Sequence, residues 1–333
     1  MRPYSVYGLG NALLDIEFNV DEPFLLENEL EKSVMVLIDE AQHHLLMDKL
    51  GHKMHIHACG GSAANTLIAA SQLGAKVFSS CKVADDESGH HYHHNLSFWN
   101  IDTNLDSQAK LPGITGKCIV LVTPDAERTM FSFLGITETF SEEQIIPEVI
   151  AQSQYIFLEG YLASSPTGRS AAIAGRQYAE QNHTKIAMTL SDVNIVRHFK
   201  PELYKMLGHR VDLLFSNQQE ALLFSGTTQI TEACDYLKTL ARQFVITLGA
   251  EGALVYDGNH LDQVAGYPTL QVNTSGAGDV FAGTVLYAIN HGRDLIQAAD
   301  MACFTASKIV AKPGPRFENG EVAQLLNELK EKF

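Results

Sequence analysis

The sequence is short of positive charge: 24 Lys and Arg stand against 39 Asp and Glu, a formal net charge of −15. Such a surface repels phosphate backbones and anionic headgroups, which argues against nucleic acid or a membrane as the main partner. No apolar run approaches the ~20 residues that a membrane-spanning helix needs. The amino terminus meets Asp15 and Glu17 early and shows no basic-then-apolar leader pattern, so the expected location is cytoplasmic. Cysteine is sparse and odd in number. Cys59, Cys81, Cys118, Cys234 and Cys303 lie far apart, mostly among apolar residues, and read as reduced core thiols.

Three common motifs are missing as well. An opening strand over Tyr4–Leu9 runs into GLGN, but the third glycine of a dinucleotide fingerprint would fall at Leu13, which weakens a nicotinamide oxidoreductase. Gly116-Lys117 is followed by Cys118, and the upstream glycine of a Walker A loop would be at Leu111. The run His90-His91-Tyr92-His93-His94 has no C-x-x-C or H-E-x-x-H nearby. Zinc there would have to recruit His55, His57, Cys59 or Cys81, so a solvated helix face is the plainer reading.

What is present is a globular composition, 45% hydrophobic and 19% charged, in a chain of 333 residues able to bury a large core. Strands are expected over Asp15–Phe18 and Val34–Ile38, with the acidic, proline-containing stretch Asp21–Glu31 between them. The glycine turn Cys59–Asn65 opens a helix of small residues, followed by a strand over Lys76–Cys81 and a helix over Glu87–Trp99. Ile114–Val122 and Arg128–Leu134 form a hairpin candidate about Thr123–Ala126. From Tyr155 the rhythm becomes strand then helix: Tyr155–Glu159 with Pro166–Gln181, Lys185–Leu190 with Pro201–Leu207, Val211–Phe215 with Gln218–Phe224. A strand over Phe244–Leu248 comes next, and helices from Asp294 and over Glu321–Lys330 close the chain. That alternation predicts an α/β fold with a mostly parallel sheet and helices on both faces.

The most informative stretch is Val272–Gly283, VNTSGAGDVFAG. Gly276 and Gly278 allow close backbone approach, and Phe281, Thr284, Val285, Ala288 and Ile289 give the following helix one apolar face. Its first amides lack intrahelical partners and carry partial positive charge, which suits a phosphate. Asp279 among them would repel a phosphate but could act as a base on a group that attacks one. An ordinary glycine turn with an acid in the first helical turn fits the same letters.

Five ordered segments carry a resemblance over nearly the whole chain. They are Gly10-Asn11 with Asp15, Gly60-Gly61 with Asn65, Asn217 to Glu220, Thr247 to Gly252, and Thr274 to Asp279. Together they resemble the ribokinase-like (pfkB family) kinases, and among these chiefly the adenosine kinases. Gly160–Gly168 and Met188–Phe199 look like further segments of those enzymes. The resemblance implies a three-layer α/β/α domain spanning residues 1–333, with lid segments at about 15–38 and 114–134. It implies ATP and Mg²⁺ as cofactors, a small-molecule acceptor, and a monomer or homodimer.

The same resemblance assigns roles to residues. Asp279 would be the general base on the 5′-hydroxyl of a nucleoside, adenosine being the expected one, with the amides of Gly276, Ala277 and Gly278 as anion hole and Arg128 as a lid arginine. Asn11, Asp15, Gly61 and Asn65 would hold the sugar. Thr247, Gly249, Gly252 and Thr274 would line the nucleotide, and Asn217 with Glu220 would hold Mg²⁺ through water. Phe18, Phe131, Phe133 and Leu134 are candidates to cover a purine, although aromatics alternating in strands are usually packed inside. Where the family commonly has Asp before Thr274, this chain has Asn273, which implies a weak or absent K⁺ requirement. A free-sugar kinase of the ribose or fructose type, and a catalytically silent nucleotide sensor, remain as alternatives.

Overall fold

A computed structural model describes residues 2–51, 55–125 and 127–333, and leaves the side chains of residues 55–57 undescribed. In the first half of the chain the strands are β1 (Tyr4–Leu9), β2 (Leu13–Asn19), β3 (Met35–Leu37), β4 (His55–Gly60), β5 (Val77–Ser80), β6 (Asp102–Thr103), β7 (Gly116–Val122) and β8 (Arg128–Phe133). The second half adds β9 (Ser153–Glu159), β10 (Lys185–Thr189), β11 (Val211–Asn217), β12 (Ala241–Thr247), β13 (Ala253–Tyr256) and β14 (Leu261–Val264).

The large sheet has the order β14-β13-β12-β11-β10-β9-β1-β5-β6. It is parallel from β12 to β6, and the pairings of β13 with β12 and with β14 are antiparallel. Its strands read as continuous apolar runs because both faces are covered. Val6, Tyr155, Phe157, Leu213 and Val245 pack toward the helices Ser62–Gln72 and Ala277–Asn290. Tyr7, Leu9, Ile156, Leu158 and Leu214 pack into the opposite layer, as the two-residue period of a strand requires. From β1 the chain reaches β5 on one side and β9 on the other. Such a point of divergence leaves a crevice at the carboxyl ends of the strands.

A second sheet, β3-β8-β7-β2-β4, stands over that crevice. It draws on the expected hairpin, whose turn residue Ala126 lies outside the described residues, and also on β4, of which only Cys59 and Gly60 fall in the expected glycine turn. Asp15–Phe18 proves to be the middle of a longer strand. Ile16, Phe18, Ile119, Leu121 and Phe131 form the outer face of this sheet, under the helices Glu22–Glu27 and Glu40–Leu50. The latter helix escaped the sequence reading despite a capping box between Asp39 and Gln42. So did the helix Ile230–Leu240. The helix expected at Pro201 begins at Val193, capped by Asp192, and is broken at Phe199, just before the proline.

Candidate active site

The crevice between the two sheets is a cavity of about 1280 Å³, lined by the residues to which the resemblance gave catalytic, substrate, nucleotide and metal roles. Asp279 occupies the first turn of the helix Ala277–Asn290. Its Oδ1 accepts from Ser62 Oγ at 2.7 Å and its Oδ2 from Asn65 Nδ2 at 3.1 Å. Both partners belong to the helix Ser62–Gln72, whose small residues now have a reason. At Gly283 the two helices touch so closely that a Cβ would lie 2.4 Å from the Thr66 carbonyl oxygen. Gly276 caps the second helix at φ 72°, with the Pro315 carbonyl 2.5 Å from where a Cβ would stand.

Asn11, Asp15, Gly61 and Asn65 line the cavity as well, with Asn65 bonded to Asp279 and Asp15 close enough to feel its charge. Gly61 has φ 93°, and a Cβ there would meet the Asn11 carbonyl at 2.1 Å. Arg128 begins β8 and faces the same space. Its guanidinium favours the ionised forms of Asp15, Glu17, Asp192 and Asp279. Thr247, Gly249, Gly252 and Thr274 also line the cavity. Gly252 also backs onto β14, where a Cβ would lie 2.0 Å from the Val264 carbonyl. Asn217 and Glu220 form a capping box: Glu220 Oε2 accepts from the Asn217 amide at 3.0 Å and Oε1 from Asn217 Nδ2.

Strand parity corrects one expectation. Phe18 and Phe131 are buried in the outer core of the small sheet, and Phe133 lies beside His43. The side chains facing the cavity are instead Leu13, Cys118, Val120, Met130 and Ser132, with Leu134 just beyond β8. A one-residue offset in a strand exchanges its faces. The histidine run lies on a surface helix, where His90 meets Asp85 at 3.0 Å and His93 meets Asp106 at 2.8 Å. The side chains of His55 and His57 lie outside the described residues.

Two charged residues were missed. Glu159 ends β9, is fully buried, and accepts from the Asn11 amide at 2.6 Å and the Ala63 amide at 2.8 Å. A carboxylate closing the apolar run YIFLE was the available signal. Arg316 reaches Asn65 Oδ1 through Nε at 2.9 Å and Nη2 at 2.7 Å, and nothing in KPGPRF singled it out. Burial is the main force on the acids here. It pushes Asp279 up to about 6, Asp15 and Glu159 up to about 7, and Glu220 up to about 8. Groups tuned toward neutrality by burial are typical of catalytic clefts.

The description "pfkB family carbohydrate kinase" matches residues 34–320. The chain belongs to the pfkB family. An adenosine kinase from Sinorhizobium meliloti superposes with a TM-score of 0.92 at 30% identity, covering 99% of this chain and 100% of that one. A probable sugar kinase protein from Rhizobium etli CFN 42 superposes with a TM-score of 0.93 at 29% identity, covering 99% of both chains. The adenosine kinase of Schizophyllum commune is 26% identical over 96% of this chain and 98% of its own length. This pfkB chain thus has the ribokinase-like α/β fold and is an ATP-dependent kinase of nucleosides or sugars.

Two further polar side chains complete the site. Asn273 is buried; its Oδ1 accepts from the Ser275 amide at 2.7 Å, and its Nδ2 donates to Glu17 of β2 at 3.1 and 3.2 Å. Glu220 is 4% exposed and no cation contacts it among the described residues, so a divalent ion or its water shell fits the uncompensated carboxylate.

Proposed function

We propose that this kinase transfers the γ-phosphoryl group of ATP to the 5′-hydroxyl of a nucleoside, with adenosine the preferred acceptor. The observation that supports the reading is Asp279 in the first turn of a helix lining the cavity, hydrogen-bonded to Asn65, with Asn11, Asp15 and Gly61 on the same cavity wall. In that place Asp279 takes the hydroxyl proton as the alcohol oxygen bonds to the γ-phosphorus and the bond to the ADP oxygen breaks. Little basicity is needed, because the transition state of phosphoryl transfer is loose. The amides of Gly276, Ala277 and Gly278 stabilise the charge on the transferring group, and Arg128 adds a cation from the small sheet. Asp15, Asn11 and Asn65 hold the sugar hydroxyls. Thr247, Gly249, Gly252 and Thr274 border the nucleotide. Asn217 and Glu220 would hold Mg²⁺ through water, and the ion would supply positive charge to the phosphates.

The small sheet, including residues 15–38 and 114–134, acts as a lid that excludes water during transfer. A purine would lie against the aliphatic surface of Leu13, Val120, Met130 and Leu134. The lack of an inward aromatic from β2, β7 or β8 favours the second reading, a free-sugar kinase. A panel of nucleosides and sugars with ATP, followed by ADP release, separates the two. Adenosine should give the highest kcat/KM; turnover of a hexose but of no nucleoside would overturn the preference.

Asn273 leads to a separate expectation. Its oxygen is engaged by Ser275 and its amide points at Glu17, which leaves it a poor substitute for a carboxylate beside a monovalent cation. Exchanging Na⁺ for K⁺ at constant ionic strength should change turnover little; a large rise in K⁺ would contradict this.

A further inference from the structure

We propose that Arg316 is a positioning residue for phosphoryl transfer, acting on Asp279 through Asn65. Three of its bonds end on neutral amide oxygens: Nε and Nη2 on Asn65 Oδ1, and Nη1 on Asn95 Oδ1 at 2.8 Å. A guanidinium only donates, so it fixes which end of the Asn65 amide it meets. With Oδ1 held, Nδ2 has to point to the other side, where it donates to Asp279 Oδ2. Turning the amide over would set its NH₂ against the guanidinium and leave an oxygen facing a carboxylate. Arg316 therefore selects the rotamer that holds the base.

The segment carrying Arg316 is itself secured. Lys312 Nζ donates to the Arg316 carbonyl at 2.7 Å and pairs with Glu321 at 2.9 Å, while Gln72 Nε2 donates to the Phe317 carbonyl at 2.8 Å. Pro315, the preceding residue, packs on Gly276. One short strap thus braces both the base and the turn beside it.

Charge acts in the same direction. No carboxylate pairs directly with Arg316 among the described residues, so its charge is felt by Asp15 and Asp279. The groups facing Asp279 are Ser62 and Asn65 from their helix, Arg128 from β8, Arg316 from the strap, and the acids Asp15 and Glu159. Two cations thus oppose burial, and removing one makes the base harder to ionise.

The inference rests on Asp279 as the base, and the test keeps the two apart. Arg316→Met should lower kcat about 10- to 100-fold and move the acid limb of the kcat–pH profile upward by about one pH unit. Arg316→Lys keeps the charge but not the fork, so it should retain the wild-type limb while losing part of kcat. If Arg316→Met does not fold, the lysine variant decides, since normal kcat would remove the orienting role. A fall in kcat with the same limb in the methionine and lysine variants would reduce Arg316 to scaffolding and overturn the proposal. Substantial turnover by Asp279→Asn would instead remove Asp279 as base, whatever the Arg316 variants do.

Discussion

Asp279→Asn should cut turnover by about 10²–10⁴ while ATP affinity stays close to that of the unaltered enzyme. Asparagine preserves the size of the side chain; its oxygen can accept from Asn65 Nδ2 while its NH₂ donates to Ser62 Oγ, so the loss reports the missing base and not a collapsed site. Ground-state nucleotide binding relies on other groups, which is why affinity should persist. Steady-state kinetics with calorimetry of ATP binding checks both parts. The pH profile adds a second check. Burial, opposed by Ser62, Asn65, Arg128 and Arg316, leaves the Asp279 carboxyl at about 6. The base works only when ionised, so kcat should rise with pH through that region and level off above it. Residual turnover in the asparagine variant should lack this limb.

The second large effect is expected at Glu159. Its two oxygens hold the amides of Asn11 and Ala63, which come from the turn after β1 and the helix Ser62–Gln72. Glu159→Ala would strand both buried N–H groups, at about 1–3 kcal/mol each. Both sugar-side segments would loosen together, so thermal stability should drop and the KM for the acceptor should rise more than that for ATP. Glu159→Gln keeps one oxygen but sets an NH₂ against the other amide, and should fall between. The stability difference should also depend on pH. Burial raises the Glu159 carboxyl from 4.5 to about 7, so its contribution is complete below about 4.5 and is lost as pH rises through 7. Glutamine does not titrate, so the gap between the two proteins should narrow toward alkaline pH. Calorimetric melting at several pH values tests this; a gap that widens with pH would contradict it.

The sheet-and-helix rhythm after Tyr155 was legible because parallel strands buried on both faces appear as unbroken apolar runs between helices. The glycine turn before Asp279 was legible for a related reason: positive φ and backbone contact leave glycine as the residue that fits. The helix Glu40–Leu50 was missed because its buried positions, His43, Leu46 and Leu50, make a thin and partly polar stripe. The facing of Phe18 and Phe131 turned on strand register, which depends on partners distant in the chain. Glu159 and Arg316 fared worst. Each is a single charge whose role exists only once segments tens to hundreds of residues apart meet, and no local pattern encodes that meeting.

The bond between Asn273 and Glu17 bears on how the small sheet can move. It ties β2 to the turn that precedes Asp279, so a rigid swing of all five strands would tear a carboxylate from a buried amide. The opposite flank is fastened too, since Asn194 Nδ2 donates to the Met35 carbonyl of β3 at 3.1 Å and Met35 is buried in the core of the large body. If the small sheet serves as a lid, opening it would have to break both fastenings, one at each flank, so these two bonds favour a shut cleft.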